Sequence, residues 1–77
     1  MSYHVGMVVR ISLNEHFYRD SDGNGQGWPI SKVYHDEHEH FRINHVNPGH
    51  AKPIHLSGKY GDLGWVSPSA ITVVISN

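Results

Sequence analysis

Residues 4–13 read His4-Val5-Gly6-Met7-Val8-Val9-Arg10-Ile11-Ser12-Leu13. Val5, Met7, Val9, Ile11 and Leu13 fall on one parity, with Gly6, Arg10 and Ser12 on the other. Successive side chains leave a strand on opposite sides, so this alternation predicts a strand with one face on a core and one toward water. The same pattern recurs at Phe41 and Ile43 around Arg42, at Ile54 and Leu56 around His55, and at Ile71, Val73 and Ile75. No window of about eleven residues carries the i, i+3, i+4, i+7 spacing of an amphipathic helix. The chain therefore reads as all-β.

The segments between these strands supply turns with identifiable causes. Asn47-Pro48-Gly49 combines a fixed φ with a residue free to take positive φ, which suits a hairpin. Gly58 and Gly61 bracket a second tight connection, and Gly64-Trp65-Val66 predicts a short strand stopping at Ser67-Pro68-Ser69, read as one 3₁₀ turn. The exception is the stretch from Asn14 to Lys32, punctuated by Gly23, Gly25, Gly27 and Pro29. Connections longer than about 12–15 residues are usually functional or disordered. A small sheet poorly tolerates a disordered insert, so this excursion is expected to fold back on itself and carry function. Five short strands with one long early loop predict a small closed or nearly closed barrel.

Composition narrows the function classes. Seventy-seven residues make one domain, and 38% apolar residues make a lean core. With no cysteine, disulfides, thiolate metal sites and cysteine nucleophiles are excluded. A net charge of −1 gives no electrostatic case for nucleic acid or an anionic membrane. The apolar run at Ile71–Ile75, broken by Thr72, is far short of the roughly 20 residues that span a bilayer. The start of the chain shows neither the basic nor the apolar part of a signal peptide. Eight histidines are the unusual count, and binding or stability is expected to change between about pH 5.5 and 7.5.

Two clusters suggest metal chemistry, each with a plainer alternative. Asp20-Ser21-Asp22-Gly23-Asn24-Gly25 matches the first half of a calcium loop, but Ser31 stands where the bidentate acid belongs. An ordinary Asp/Asn/Gly turn is the favoured reading. In His35-Asp36-Glu37-His38-Glu39-His40, a strand would put His38 and His40 on one face as weak zinc or nickel candidates. A solvated polar hairpin is favoured there, and no cofactor is expected. Serine, histidine and aspartate occur without any nucleophile elbow, zincin helix or phosphate loop, so no enzyme activity is expected. Phe17, Tyr18 and Trp28 lie in or near the long loop, Tyr60 and Trp65 come late, and Phe17 is expected to point inward. Aromatics with polar tips suit an exposed ligand shelf.

Five stretches carry a resemblance: HVGMVVRIS (4–12), FYRDSDGNGQGWPISKVY (17–34), FRINHV (41–46), KPIHLS (52–57) and GDLGWVSPSAITVV (61–74). Together, over roughly residues 4–75, they resemble bacterial Src homology 3-like domains. In particular they are similar to the cell-wall-binding domains of bacteriophage endolysins that attack Gram-positive bacteria, with Gly64-Trp65-Val66 and Ile71 the most specific part. The acidic loop and the histidine-rich hairpin depart from the usual pattern. The resemblance implies an Src homology 3-like barrel of five to six strands. It also implies a non-catalytic module, made in the host cytoplasm, that holds a lytic domain on peptidoglycan or an associated wall polymer. On that reading Tyr18, Asp20, Asp22, Asn24, Trp28, Tyr60 and Trp65 form the ligand site. The alternative is an intracellular β-barrel adaptor or structural phage protein with a protein partner. The apolar final strand, with Val74 opposite Ile71, Val73 and Ile75, predicts a homo-oligomer or assembly with a full-length lysin.

Overall fold

The computed structural model describes residues 3–12, 14–23, 27–29, 39–58 and 61–75, with the backbone alone at Trp28. Their strands are β1 (Val8–Ile11), β2 (His16–Phe17), β3 (Trp28–Pro29), β4 (Phe41–Val46), β5 (Ile54–Gly58), β6 (Gly61–Val66) and β7 (Ile71–Ile75). A 3₁₀ turn, Pro68–Ala70, joins β6 to β7 as the Ser-Pro-Ser stretch predicts. Five strands form one antiparallel sheet in the order β6-β5-β4-β1-β7, and β2 pairs with β3 as a separate ribbon inside the long excursion. The fold is all-β, with four of the five main strands where alternation predicts them, β6 extending the predicted Gly64-Trp65-Val66 strand back to Gly61, and the long loop between β1 and β4. It has the makeup of a small barrel-like domain, yet the sheet is not closed. Its edge strands β6 and β7 do not pair, and the long loop instead lies against β6, where Tyr18 forms a backbone bridge with Trp65.

The inner face is built from the alternating positions. Met7, Val9, Ile11, Phe41, Ile43, Ile54, Leu56 and Val66 are buried, and Phe17 of β2 joins them with no exposed surface. Full burial of one such side chain is worth about 1.5–3 kcal/mol, so Phe17 fastens the long loop to the core, as its apolar ring predicts. Val5 does not follow its parity. It is 60% exposed, because Gly6 turns the chain at φ +98° and β1 begins only at Val8. Leu13 lies outside the described residues. The loop between β4 and β5 turns at Gly49, φ +87°, and is closed at its base by Asn47 N–H donating to the Pro53 carbonyl at 2.7 Å.

Three register shifts interrupt the alternation. Pairing steps from Ile43↔Leu56 to His45↔His55, from Leu56↔Gly64 to Ser57↔Asp62, and from Val8↔Ile75 to Val9↔Val73. Each leaves one extra residue, respectively Asn44, Leu63 and Val74, and an extra residue re-aims the side chains on one side of it. At β7 the result is that both Val74 and Ile75 are exposed, whereas alternation predicts Ile75 on the covered face.

Leu56→Ala is expected to destabilise by about 2–5 kcal/mol, as for other fully buried aliphatics. Val5→Ala should stay within about 0.5 kcal/mol, as surface changes do. Urea unfolding of both variants checks this, and a large loss at Val5 would contradict its exposure.

Candidate functional site: a cross-strand aromatic row

Directly opposed residues of antiparallel strands project on the same face. His45 opposes His55, His55 opposes Trp65, and Trp65 opposes Tyr18, so these four stand in a row across β4, β5, β6 and the long loop. The bridge at the end of the row is doubly bonded: Tyr18 N–H donates to the Trp65 carbonyl at 2.8 Å, and Trp65 N–H to the Tyr18 carbonyl at 2.9 Å. The rings meet edge to face, with His55 and Trp65 centroids 5.0 Å apart and His45 and Trp65 5.4 Å apart. Gly64 and Val66 are buried while Trp65 between them is only half-buried, so Trp65 belongs to the outer face and does not plug the core.

The two register shifts beside this row complete it. Without the extra residue Asn44, strict alternation from Phe41 and Ile43 would turn His45 inward; with it, His45 faces out and Val46 packs on the core. Without Leu63, alternation from Val66 and Gly64 would turn Asp62 inward; instead it is exposed opposite Ser57. Asn44, His45, His55, Asp62 and Trp65 thereby line an open groove of about 320 Å³. Within it His55 Nδ1 lies 2.6 Å from Asn44 Oδ1, and Asn44 Nδ2 donates to Asp62 Oδ1 at 2.9 Å. Asn44, His45, His55 and Asp62 were invisible to the ligand-shelf reading. The signal for them was the three-residue step from Ile43 to Val46, which breaks a period of two.

The other predicted residues fall into three groups. Tyr18 is half-buried, with Lys52 Nζ 4.7 Å from its ring centroid and the His16 ring at 6.3 Å. Gly27 passes so closely beneath that a Cβ there would stand 2.7 Å from the Phe17 carbonyl oxygen and 3.1 Å from the Tyr18 ring. The acidic stretch is a turn, as the plainer reading predicts: Asp22 N–H donates to Asp20 Oδ1 at 3.0 Å, and Gly23 takes φ +75°. It is fastened to the β4–β5 loop, since Lys52 N–H donates to the Ser21 carbonyl at 2.7 Å and Asn47 Nδ2 to Ser21 Oγ at 2.9 Å. His50 Nδ1 meets Asp22 Oδ1 at 2.5 Å, both groups being largely exposed, so the pair contributes at most about 1 kcal/mol. Lys52 thus ties the acidic turn to Tyr18. Asn24, Tyr60, His38 and the Trp28 side chain lie outside the described residues, and Trp28 enters only through its backbone pairing with Phe17. His40 is exposed, and among the described residues no three acidic or histidine side chains gather to hold a metal.

Burial pushes His55 below its ordinary pKa of 6.5; the nearby Asp62 carboxylate opposes this more weakly, and His45 adds to the lowering. No protein-family model, no curated protein and no solved structure matches the chain.

Two outcomes are expected. Gly27→Ala should destabilise the ribbon and displace the Tyr18 ring, because the blocking atom is backbone and cannot yield; unchanged Tyr18 ring resonances by NMR would refute it. A histidine whose pKa is lower folded than unfolded leaves the unfolded chain binding more protons, so its stabilising contribution falls as pH drops below about 6.5. His55→Asn retains an N–H near the Nδ1 position but cannot titrate. Between about pH 7.5 and 5.5 it should lose less stability in urea than the parent. Equal losses would remove His55 from the acid response.

Proposed function

We propose that this chain is a non-catalytic cell-wall-binding module that holds a lytic partner on peptidoglycan or an associated polymer of Gram-positive bacteria. The observation that supports it best is the outward row of Tyr18, Trp65, His55 and His45 opening on a shallow polar groove. Flat rings suit the faces of sugars and of peptide planes. A few fixed polar groups, here Asn44 and Asp62, orient what the rings hold. The surface is shaped for holding an extended polymer along its length, since the row crosses the strands and continues onto the long loop. Such a module would be made in the host cytoplasm and act at the wall once lysis begins. The exposed Val74 and Ile75 on β7, an edge strand among the described residues, support self-association, or assembly with a full-length lysin, as a second property.

Sedimentation with purified Gram-positive walls, against Gram-negative walls as control, tests the reading. Tyr18→Ala and Trp65→Ala, each checked for retained fold by circular dichroism, should weaken wall binding about tenfold or more, one decade being ~1.4 kcal/mol. Trp28→Ala is expected to do the same, and Val74→Ser to leave binding unchanged. Folded variants that bind like the parent would overturn the site, and a parent that stays in the supernatant would overturn the function.

A further inference from the structure

We propose that the groove beside Trp65 binds a primary ammonium group. The wall as its source rests on the function proposed above; the chemistry of the groove does not. The argument starts at Asp62. Its carboxylate only accepts hydrogen bonds, so the Asn44 atom 2.9 Å from it must be the amide nitrogen. That sets the other end of the same amide: the atom 2.6 Å from His55 Nδ1 is the Asn44 oxygen, also an acceptor. His55 Nδ1 must therefore carry its proton. In the neutral ring, which burial favours, Nε2 is then left with its lone pair.

One N–H of Asn44 and the Nδ1–H of His55 are used inside the chain from Asp62 to His55, and the second Asn44 N–H remains. What the groove offers a cation is the Asp62 carboxylate, His55 Nε2 and the electron-rich ring of Trp65, the best side chain for a cation. Asp62 is the formal charge among the five lining residues, and among the described residues it has no ion-pair partner. The nearby cation Lys52 lies over Tyr18, at the far end of the row from His45. Arg42, one step along β4 from the groove, aligns with Ser57 between it and Asp62 and is not bonded to the carboxylate. An ammonium with three N–H donors satisfies this set. A quaternary ammonium brings charge without donors, and a neutral amide brings donors without charge. An open groove of about 320 Å³ accommodates a terminal aminoacyl unit with the rest of the polymer trailing outside.

Free amines on a wall occur at peptide ends and side chains, joined through amides, and on aminoacyl esters of polymers; mild alkali cleaves only the esters. The soluble test titrates the intact chain with triglycine and with N-acetyl-triglycine, following the Trp65 indole and His55 by NMR. Triglycine should shift both. Acetylation, or Asp62→Asn in the protein, should weaken the response about tenfold or more, while urea stability of the variant stays near the parent's. Equal responses to the two peptides, or a variant that binds triglycine like the parent, would overturn the proposal.

The wall test compares native, acetylated and alkali-treated walls. Loss on acetylation alone supports a peptide amine, and loss on both treatments supports an ester-linked one. Undiminished binding to acetylated walls would overturn the ammonium site while leaving the wall-binding function standing. Triglycine binding without any wall binding would do the reverse.

Discussion

The arrangement depends on how the long loop is held to β6. Phe17 enters the core with no exposed surface, and the next residue, Tyr18, exchanges two backbone hydrogen bonds with Trp65. Adjacent residues of a strand point to opposite faces, so one of this pair must be buried when the other is presented outward. Apolar burial of Phe17 therefore sets the position of Tyr18, and the backbone bridge sets its register against Trp65. The same contact places the long loop along part of the β6 edge. A single hydrophobic anchor thus sets the end of the outward aromatic row.

Much of the fold was legible because alternation is a strong signal when a sheet has one wet face. Met7, Val9 and Ile11, and Ile54 and Leu56, all fall where that logic puts them, and the Ser-Pro-Ser turn falls where its turn residues do. It failed at Val5, where Gly6 at φ +98° ends the extended run, and at Ile75, where the extra residue Val74 changes the phase of β7. Both failures are local backbone events. A pattern of side-chain hydrophobicity records which residues are apolar, and it does not record where the chain inserts one residue into a ladder.

The site was legible to the extent that it depends on residue type alone. Tyr18 and Trp65 announce themselves as aromatics in a lean chain, and Asp20 and Asp22 as a turn. Asn44, His45, His55 and Asp62 do not, because His45 and Asp62 would be inward residues in unbroken strands. Two bulges turn them out and set Asn44 between His55 and Asp62. Bulges recur beside functional sites because they aim side chains that a regular strand could not place together. Here they concentrate polar groups on the outer face of the three strands whose inner faces supply Ile43, Ile54, Leu56 and Val66 to the core. The function proposed for this face uses surface that the core leaves free.

The histidines show why counting charges is a weaker guide than placing them. Eight titrating groups suggest a broad response around neutral pH, with every ring treated as a potential cation. His55 contradicts that treatment. Burial disfavours its charged form, its Nδ1 proton is committed to Asn44, and its ring packs against Trp65 at 5.0 Å. It serves as a neutral aromatic acceptor, oriented through Asn44 by a carboxylate one strand away. His50 stands at the other extreme, exposed and paired directly with Asp22 on the acidic turn. At His55 a proton adds charge to a ring held in a half-buried row. The preference proposed for a positively charged ligand rests on the uncharged ring, because burial disfavours charge on His55 and leaves Asp62 as the groove's formal charge.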